Sequence, residues 1–170
     1  STHPDGLASI RGTVAHRAIE LRATGQPLPP LASMVRALRT TAIPDDAIER
    51  VAADVEEILA RFEASALVAT LQLPGADPRF EEPVAFDWDG LPMHGTIDLL
   101  YRSDGNWHVL DFKTDRIAGH SLADLARPYL PQLGVYGLAI EKATGARPAL
   151  EIMFLATGAM HALDPVAPAL

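Results

Sequence analysis

The feature that most constrains this chain is a two-residue turn. Asp104-Gly105 separates two runs of strand-forming residues, Met93–Arg102 and Trp107–Thr114. Asp and Gly both tolerate the positive φ that two-residue hairpin loops demand. The register follows from the turn: with Ser103 facing Asn106, pairs run outward symmetrically and Asp98 falls opposite Asp111. Directly opposed side chains share a face, with Cβ atoms about 4.5–5.5 Å apart. The strand period of two adds Lys113 to that face. Ile97, Leu99, Tyr101, Leu110 and Phe112 are expected on the other face, against the core.

Two opposed carboxylates repel each other, and something has to offset that. A divalent cation with oxygen ligands would do so; Mg²⁺ is commonly held by one or two carboxylates and keeps several waters. A solvated face, with Lys113 screening two surface acids, is the alternative that the hairpin alone leaves open. Only Lys113 and Lys142 are lysines among the 14 basic residues, which weakens the reading of Lys113 as an arbitrary surface charge.

The flanking sequence reads as helices first. After a loose lead-in over residues 1–7, a helix is expected over Ser9–Ala23, with Ile10, Val14, Ala18 and Leu21 on one face. A short helix follows over Leu31–Arg39. Another starts at Pro44-Asp45-Asp46 and ends near Ser65, with a stripe of Ile48, Val51, Val55, Ile58, Leu59 and Phe62. Strands are expected over Leu67–Leu73, Arg79–Asp87 and Leu150–Ala156, beside the hairpin. Leu122–Arg127 reads as a short helix and Leu130–Thr144 as a longer one stopped by Gly145, before a frayed tail over residues 157–170. The layout is α+β (mixed α/β): a central mixed sheet over about residues 66–156, flanked by helices, after a helical segment over about residues 1–65.

Length and composition narrow the function. A chain of 170 residues fits one domain, and 48% hydrophobic residues support a real core. The absence of cysteine excludes disulfides, thiolate zinc sites, iron–sulfur clusters and Cys nucleophiles, and fits a cytoplasmic protein. No apolar run approaches the roughly 20 residues of a membrane span, and neither a signal peptide nor a membrane partner is expected. With 14 basic and 22 acidic residues, the net charge of −8 argues against a module that holds nucleic acid by bulk charge alone.

Asp98 followed by Asp111-Phe112-Lys113 resembles the PD-(D/E)xK nuclease signature. The wider pattern resembles the RecB/AddA-type branch, found at the C-terminus of helicase-nucleases. Gly95-Thr96-Ile97-Asp98 matches its G-x-[IV]-D strand, and Asp111-Phe112-Lys113-Thr114 its D-[YF]-K-T strand. Gly12 to His16 matches an upstream G-x-x-x-H helix, and Gln132 to Tyr136 a downstream Q-x-x-x-Y helix. Glu81-Glu82-Pro83 stands where an E-x-P segment often precedes the G-x-[IV]-D strand.

The resemblance implies a restriction-endonuclease-like core. It makes His16, Asp98 and Asp111 ligands of Mg²⁺ or Mn²⁺, assisted by the Phe112 backbone carbonyl. Asp98, Asp111 and Lys113 become the catalytic set, with Lys113 stabilising charge on the phosphate or orienting the attacking water. Imidazole is more natural for Mn²⁺ than for Mg²⁺. Gln132 and Tyr136 are placed at the rim, and Glu81 as a further acid nearby. By helical spacing alone, Glu20, one turn after His16 on the same face, either orients the imidazole or stands as a surface acid. The implied activity is that of an exonuclease domain, exodeoxyribonuclease V-like, acting in double-strand break repair. Helicase domains of the same chain or of a partner subunit would feed it single-stranded DNA. A chain without cysteine cannot belong to the cluster-bearing members. A free-standing structure-specific or defence nuclease, and an inactive docking module of the same fold, remain the alternatives.

Overall fold

The computed structural model describes residues 4–38 and 43–163. Three helices come first: α1 (Pro4–Ala23), α2 (Leu31–Leu38) and α3 (Asp45–Glu63). The short α4 (Ala66–Leu71) leads into the meander β1 (Arg79–Trp88), β2 (Leu91–Ser103) and β3 (Asn106–Lys113). Then come α5 (Leu122–Ala126), a 3₁₀ turn (Arg127–Tyr129), α6 (Leu130–Thr144), β4 (Ala149–Phe154) and β5 (Ala159–Leu163). The sheet order is β1-β2-β3-β4-β5. Only β3 and β4 pair in parallel, because α5 and α6 form the crossover that a parallel pair requires.

Helices cover both faces of the sheet. On one face α1, α2 and α3 bury Val14, Ala18, Ile19, Val35, Ile48, Val55 and Phe62 against Leu99, Tyr101, Leu110 and Phe112. On the other, Leu133 and Ile140 of α6 pack on Leu100, Val109, Ile152 and Phe154. Gly145, at φ +79°, ends α6 in the left-handed conformation and donates its N–H to Glu141 O at 2.8 Å.

The central hairpin has the expected register. Ser103 faces Asn106 and Leu99 faces Leu110, across a turn with Asp104 at φ +50° and Gly105 at φ +79°. Four expectations are corrected. Leu67–Leu73 is not a strand: Ala66–Leu71 is helical, and Leu67, Val68 and Leu71 turn together onto the helical layer. A short apolar run does not by itself distinguish the two periods. Residues 157–170 are not all tail, since Ala159–Leu163 adds an edge strand that buries Leu163. The lead-in is shorter than expected, because α1 already starts at Pro4. Ile97 leaves the face of Leu99 and packs with Leu100 and Val109, for a reason that lies in the site. Residues 1–3 of the lead-in, Arg39 at the end of the second helix and residues 164–170 lie outside the described residues.

Candidate active site

β2 and β3 separate just where the two aspartates stand. Their ladder ends at Leu99–Leu110, one pair short of Asp98 and Asp111. Beyond that point the Asp98 side chain replaces the missing rung, its Oδ2 accepting the Phe112 backbone N–H at 2.8 Å. On the other side, the β1–β2 register skips Glu81, which would face Asp98. Glu81 takes φ +51° in the middle of a strand, a conformation that L-residues rarely adopt. The alternation of β2 breaks at this fork, which is why Ile97 and Leu99 end on different faces.

His16 reaches the fork from α1. Its Nε2 lies 3.1 Å from the Phe112 carbonyl oxygen. A carbonyl only accepts, so that nitrogen donates, and in the neutral ring Nδ1 keeps its lone pair. Nδ1 faces Asp98 Oδ1 at 3.8 Å. His16, Glu81 and Asp98 each offer a ligand atom, all within 4.8 Å of one another, and they form the one such group found among the described residues. The Phe112 carbonyl therefore touches the imidazole, and Glu81, the further acid placed nearby by the sequence pattern, joins the cluster.

Asp111 stands beside this trio rather than in it. Its Oδ2 is buried and has no hydrogen bond of good geometry, although Lys113 Nζ is 2.8 Å away as an ion pair. The Asp98 carboxyl is pushed up to about 8, mainly by burial and then by the adjacent Asp111 carboxyl; the Phe112 N–H bond opposes the shift. Burial and the neighbouring acid thus disfavour the ionised form of Asp98. A buried carboxylate oxygen with an ion pair but no well-aligned hydrogen bond, a bare imidazole nitrogen and crowded acids are a donor set that fits a hard divalent cation.

The remaining candidates divide. Glu20 does not orient the imidazole: its Oε2 accepts from Arg17 Nη1 at 2.6 Å, while both nitrogens of His16 face other groups. Gln132 Nε2 donates to Tyr136 Oη at 3.1 Å, as their i, i+4 spacing allows. Tyr136 lies on the backbone of β2, and a Cβ at Gly95 would stand 2.5 Å from its Cε1. Two sequence motifs therefore meet in one contact. The sequence reading missed Tyr129, whose ring centroid is 4.0 Å from Lys113 Nζ. Its position three residues before Gln132 was the available signal. Next to Thr114, a cleft of about 160 Å³ is lined by Arg11, Arg61 and Arg116, together with Asp54 and Glu57.

A mixed sheet under two helical layers, with acids, an imidazole and a lysine gathered at a strand fork, has the architecture and chemistry of a metal-dependent nuclease. The family model of the PD-(D/E)XK nuclease superfamily matches residues 2–164, and the chain belongs to that superfamily. It is 36% identical over 55 residues to an ATP-dependent helicase/nuclease subunit from Carboxydothermus hydrogenoformans, over 32% of this chain and 5% of that protein. It is 31% identical over 81 residues to the protein of the same name from Bacillus pumilus, over 42% of this chain and 7% of that one. The matched stretches are thus a small part of those relatives. The crystal structure of a "putative exonuclease" from Eubacterium rectale superposes with a TM-score of 0.58 at 15% identity, covering 93% of this chain and 59% of that one, and shows the shared fold. No described helix is long and apolar enough to cross a membrane.

Proposed function

We propose that this domain is a Mg²⁺- or Mn²⁺-dependent DNA exonuclease, the nuclease part of a helicase-nuclease that processes double-strand breaks in the cytoplasm as a single domain. The observation that carries this reading is the strand fork, where His16, Glu81 and Asp98 converge beside the Asp111–Lys113 pair. His16 Nδ1, Glu81, Asp98 and Asp111 would hold the cation. Bound there, it would supply Lewis acidity and a water of lowered pKa. Lys113 supplies a positive charge next to the carboxylates, where it can meet the developing charge of the phosphate. Gln132 and Tyr136 of α6 would border the site and guide the DNA strand.

The arginine cleft supports a nucleic-acid substrate despite the acidic net charge. Arg11 pairs with Asp54 at 3.6 Å and Arg61 with Glu57 at 3.2 Å. Such exposed pairs are worth about 0–1 kcal/mol, so a phosphate can recruit these guanidinium groups at little cost. A basic cleft this small contacts few phosphates. That favours a motor, in the same chain or in a partner subunit, delivering single-stranded ends.

The test is degradation of linear single-stranded DNA with Mg²⁺ or Mn²⁺, against a covalently closed circle. Asp111→Ala and Lys113→Ala should each lower the rate by about 10²-fold or more while the melting temperature stays within a few degrees. Mn²⁺ should raise the melting temperature of the wild type and not that of Asp98→Ala. Equal rates for wild type and Asp111→Ala with both metals would overturn the catalytic reading. Cleavage of circles as fast as linear strands would replace exonuclease by endonuclease.

A further inference from the structure

Among the described residues the Lys113 ammonium meets two groups, and a bound cation would affect them differently. One is Asp111 Oδ2 at 2.8 Å. A divalent ion on Asp111 would share that carboxylate's charge, and its own positive charge would repel the ammonium. The ion pair that holds Lys113 in the metal-free site is therefore weakened just when Lys113 is needed. The second neighbour is the face of Tyr129, with Nζ 4.0 Å from the ring centroid, well within the roughly 6 Å range of a cation–π contact.

The ring is held at both ends. Its backbone is the N-cap of α6, and its hydroxyl donates to Asp115 Oδ2 at 2.8 Å. Asp115 follows Lys113 by two residues, where the chain leaves β3. The loop that carries the lysine out of the sheet thus also anchors the ring beneath its ammonium. Burial is the first cause that raises the Tyr129 phenol to about 12, with the Asp115 hydrogen bond next, so the hydroxyl remains a donor at working pH.

We propose that Tyr129 is the positioning residue for Lys113: its ring face keeps the ammonium at the site in the metal-loaded state, and its bond to Asp115 fixes the ring. The role in catalysis rests on the nuclease reading above; the contact itself does not.

The chain's two lysines make the contact directly observable. In protein labelled with ¹³C-lysine, Lys142→Arg assigns the two ε-CH₂ signals. Protons over an aromatic face shift upfield, so Lys113 should resonate upfield of Lys142 and stay there when Mg²⁺ is added. Tyr129→Phe keeps the ring but loses the bond to Asp115 that fixes it, so part of the shift should remain; Tyr129→Leu should abolish it. With Mg²⁺ and linear single-stranded DNA, Tyr129→Leu should lower kcat by roughly 5–30-fold, the range of one lost cation–π contact, with a smaller change in KM. Tyr129→Phe should fall between wild type and Tyr129→Leu in kcat, whereas a role of the hydroxyl alone would make the two variants equal. A wild-type Lys113 signal without upfield shift, its loss on adding Mg²⁺, or unchanged kcat in a folded Tyr129→Leu variant each overturns the proposal. If Tyr129→Leu does not fold, the wild-type shift and its response to Mg²⁺ still decide it. A wild type inactive with both metals overturns the nuclease reading, and the NMR arm then separately decides the contact.

Discussion

Glu81 offers a test in which local strain and site chemistry can be separated. Its φ of +51° lies in the left-handed region, which costs an L-residue roughly 1–2 kcal/mol. Glycine escapes that penalty but loses more chain entropy, about 0.5–1 kcal/mol against alanine in a strand. At an ordinary strand position Ala is therefore the more stable of the two. At position 81 the order should invert: subtracting the entropy loss from the strain leaves Glu81→Gly ahead of Glu81→Ala by roughly 0–1.5 kcal/mol.

The comparison cancels the chemistry, because both variants lack the carboxylate and keep the same neighbours. For a chain of this size 1 kcal/mol moves the melting temperature by about 2–4 °C, so the Gly variant should melt a few degrees above the Ala variant in EDTA. Mn²⁺ titration by calorimetry should then find both weakened to the same extent relative to wild type. An Ala variant more stable than the Gly variant by the roughly 0.5–1 kcal/mol of an ordinary strand position would refute the claim that β1 stores strain at Glu81. Wild-type Mn²⁺ affinity in both would remove Glu81 from the cation site and leave the strain argument standing.

Gly95→Ala should cost roughly 1–3 kcal/mol by overpacking, because its Cβ would stand 2.5 Å from Tyr136 Cε1. In a urea double-mutant cycle that cost should largely vanish in a Tyr136→Ala background; additive effects within about 0.5 kcal/mol would reject the contact. The far end of the hairpin carries a pH-dependent contribution. His108 Nδ1 lies 2.8 Å from Glu151 Oε1, and that hydrogen bond is the first cause raising its pKa above the usual 6.5. A raised folded pKa means the folded state binds more protons, so this stabilisation is complete below about pH 6.5 and fades as pH rises through the raised value. The gap in urea midpoint between wild type and His108→Gln should follow that course. A gap independent of pH would reject the assignment.

What the sequence made legible was what periodicity and turn chemistry govern. Asp104-Gly105 set the β2–β3 register, and the stripe from Ile48 to Phe62 marked the face of α3 that packs on α1. The aspartates and Lys113 were found by their spacing, and Gln132 with Tyr136 by i, i+4 on a helix. Other contacts depend on tertiary geometry that no spacing encodes. Tyr129 touches Lys113 only because α6 crosses back over β3, and Glu151 joins Tyr101 and His108 only because β4 pairs with β3 in parallel. Glu20 failed for a related reason: helical spacing showed that it could face His16, but Arg17, three residues away, pairs with it instead.

The hairpin rule succeeded up to Leu99–Leu110, and the site begins where it stops. Had the ladder continued, Asp98 and Asp111 would be one more opposed pair on a regular face, with the repulsion that such pairs carry. Because the strands part there, Asp98 spends one oxygen on the Phe112 N–H and leaves the other facing His16. Glu81 adopts a strained backbone opposite it, and Asp111 Oδ2 is buried with the Lys113 ion pair but no well-aligned hydrogen bond. Each is an unfavourable local state that a folded chain keeps only when the surrounding structure enforces it. These groups lie around one gap, entered from one face of the sheet by His16 of α1, with Tyr129 beside Lys113 on the other. A cation bound among these groups would offset the charge crowding and the poorly satisfied oxygen together, which ties the strand fork to metal binding more closely than the spacing of the acids does.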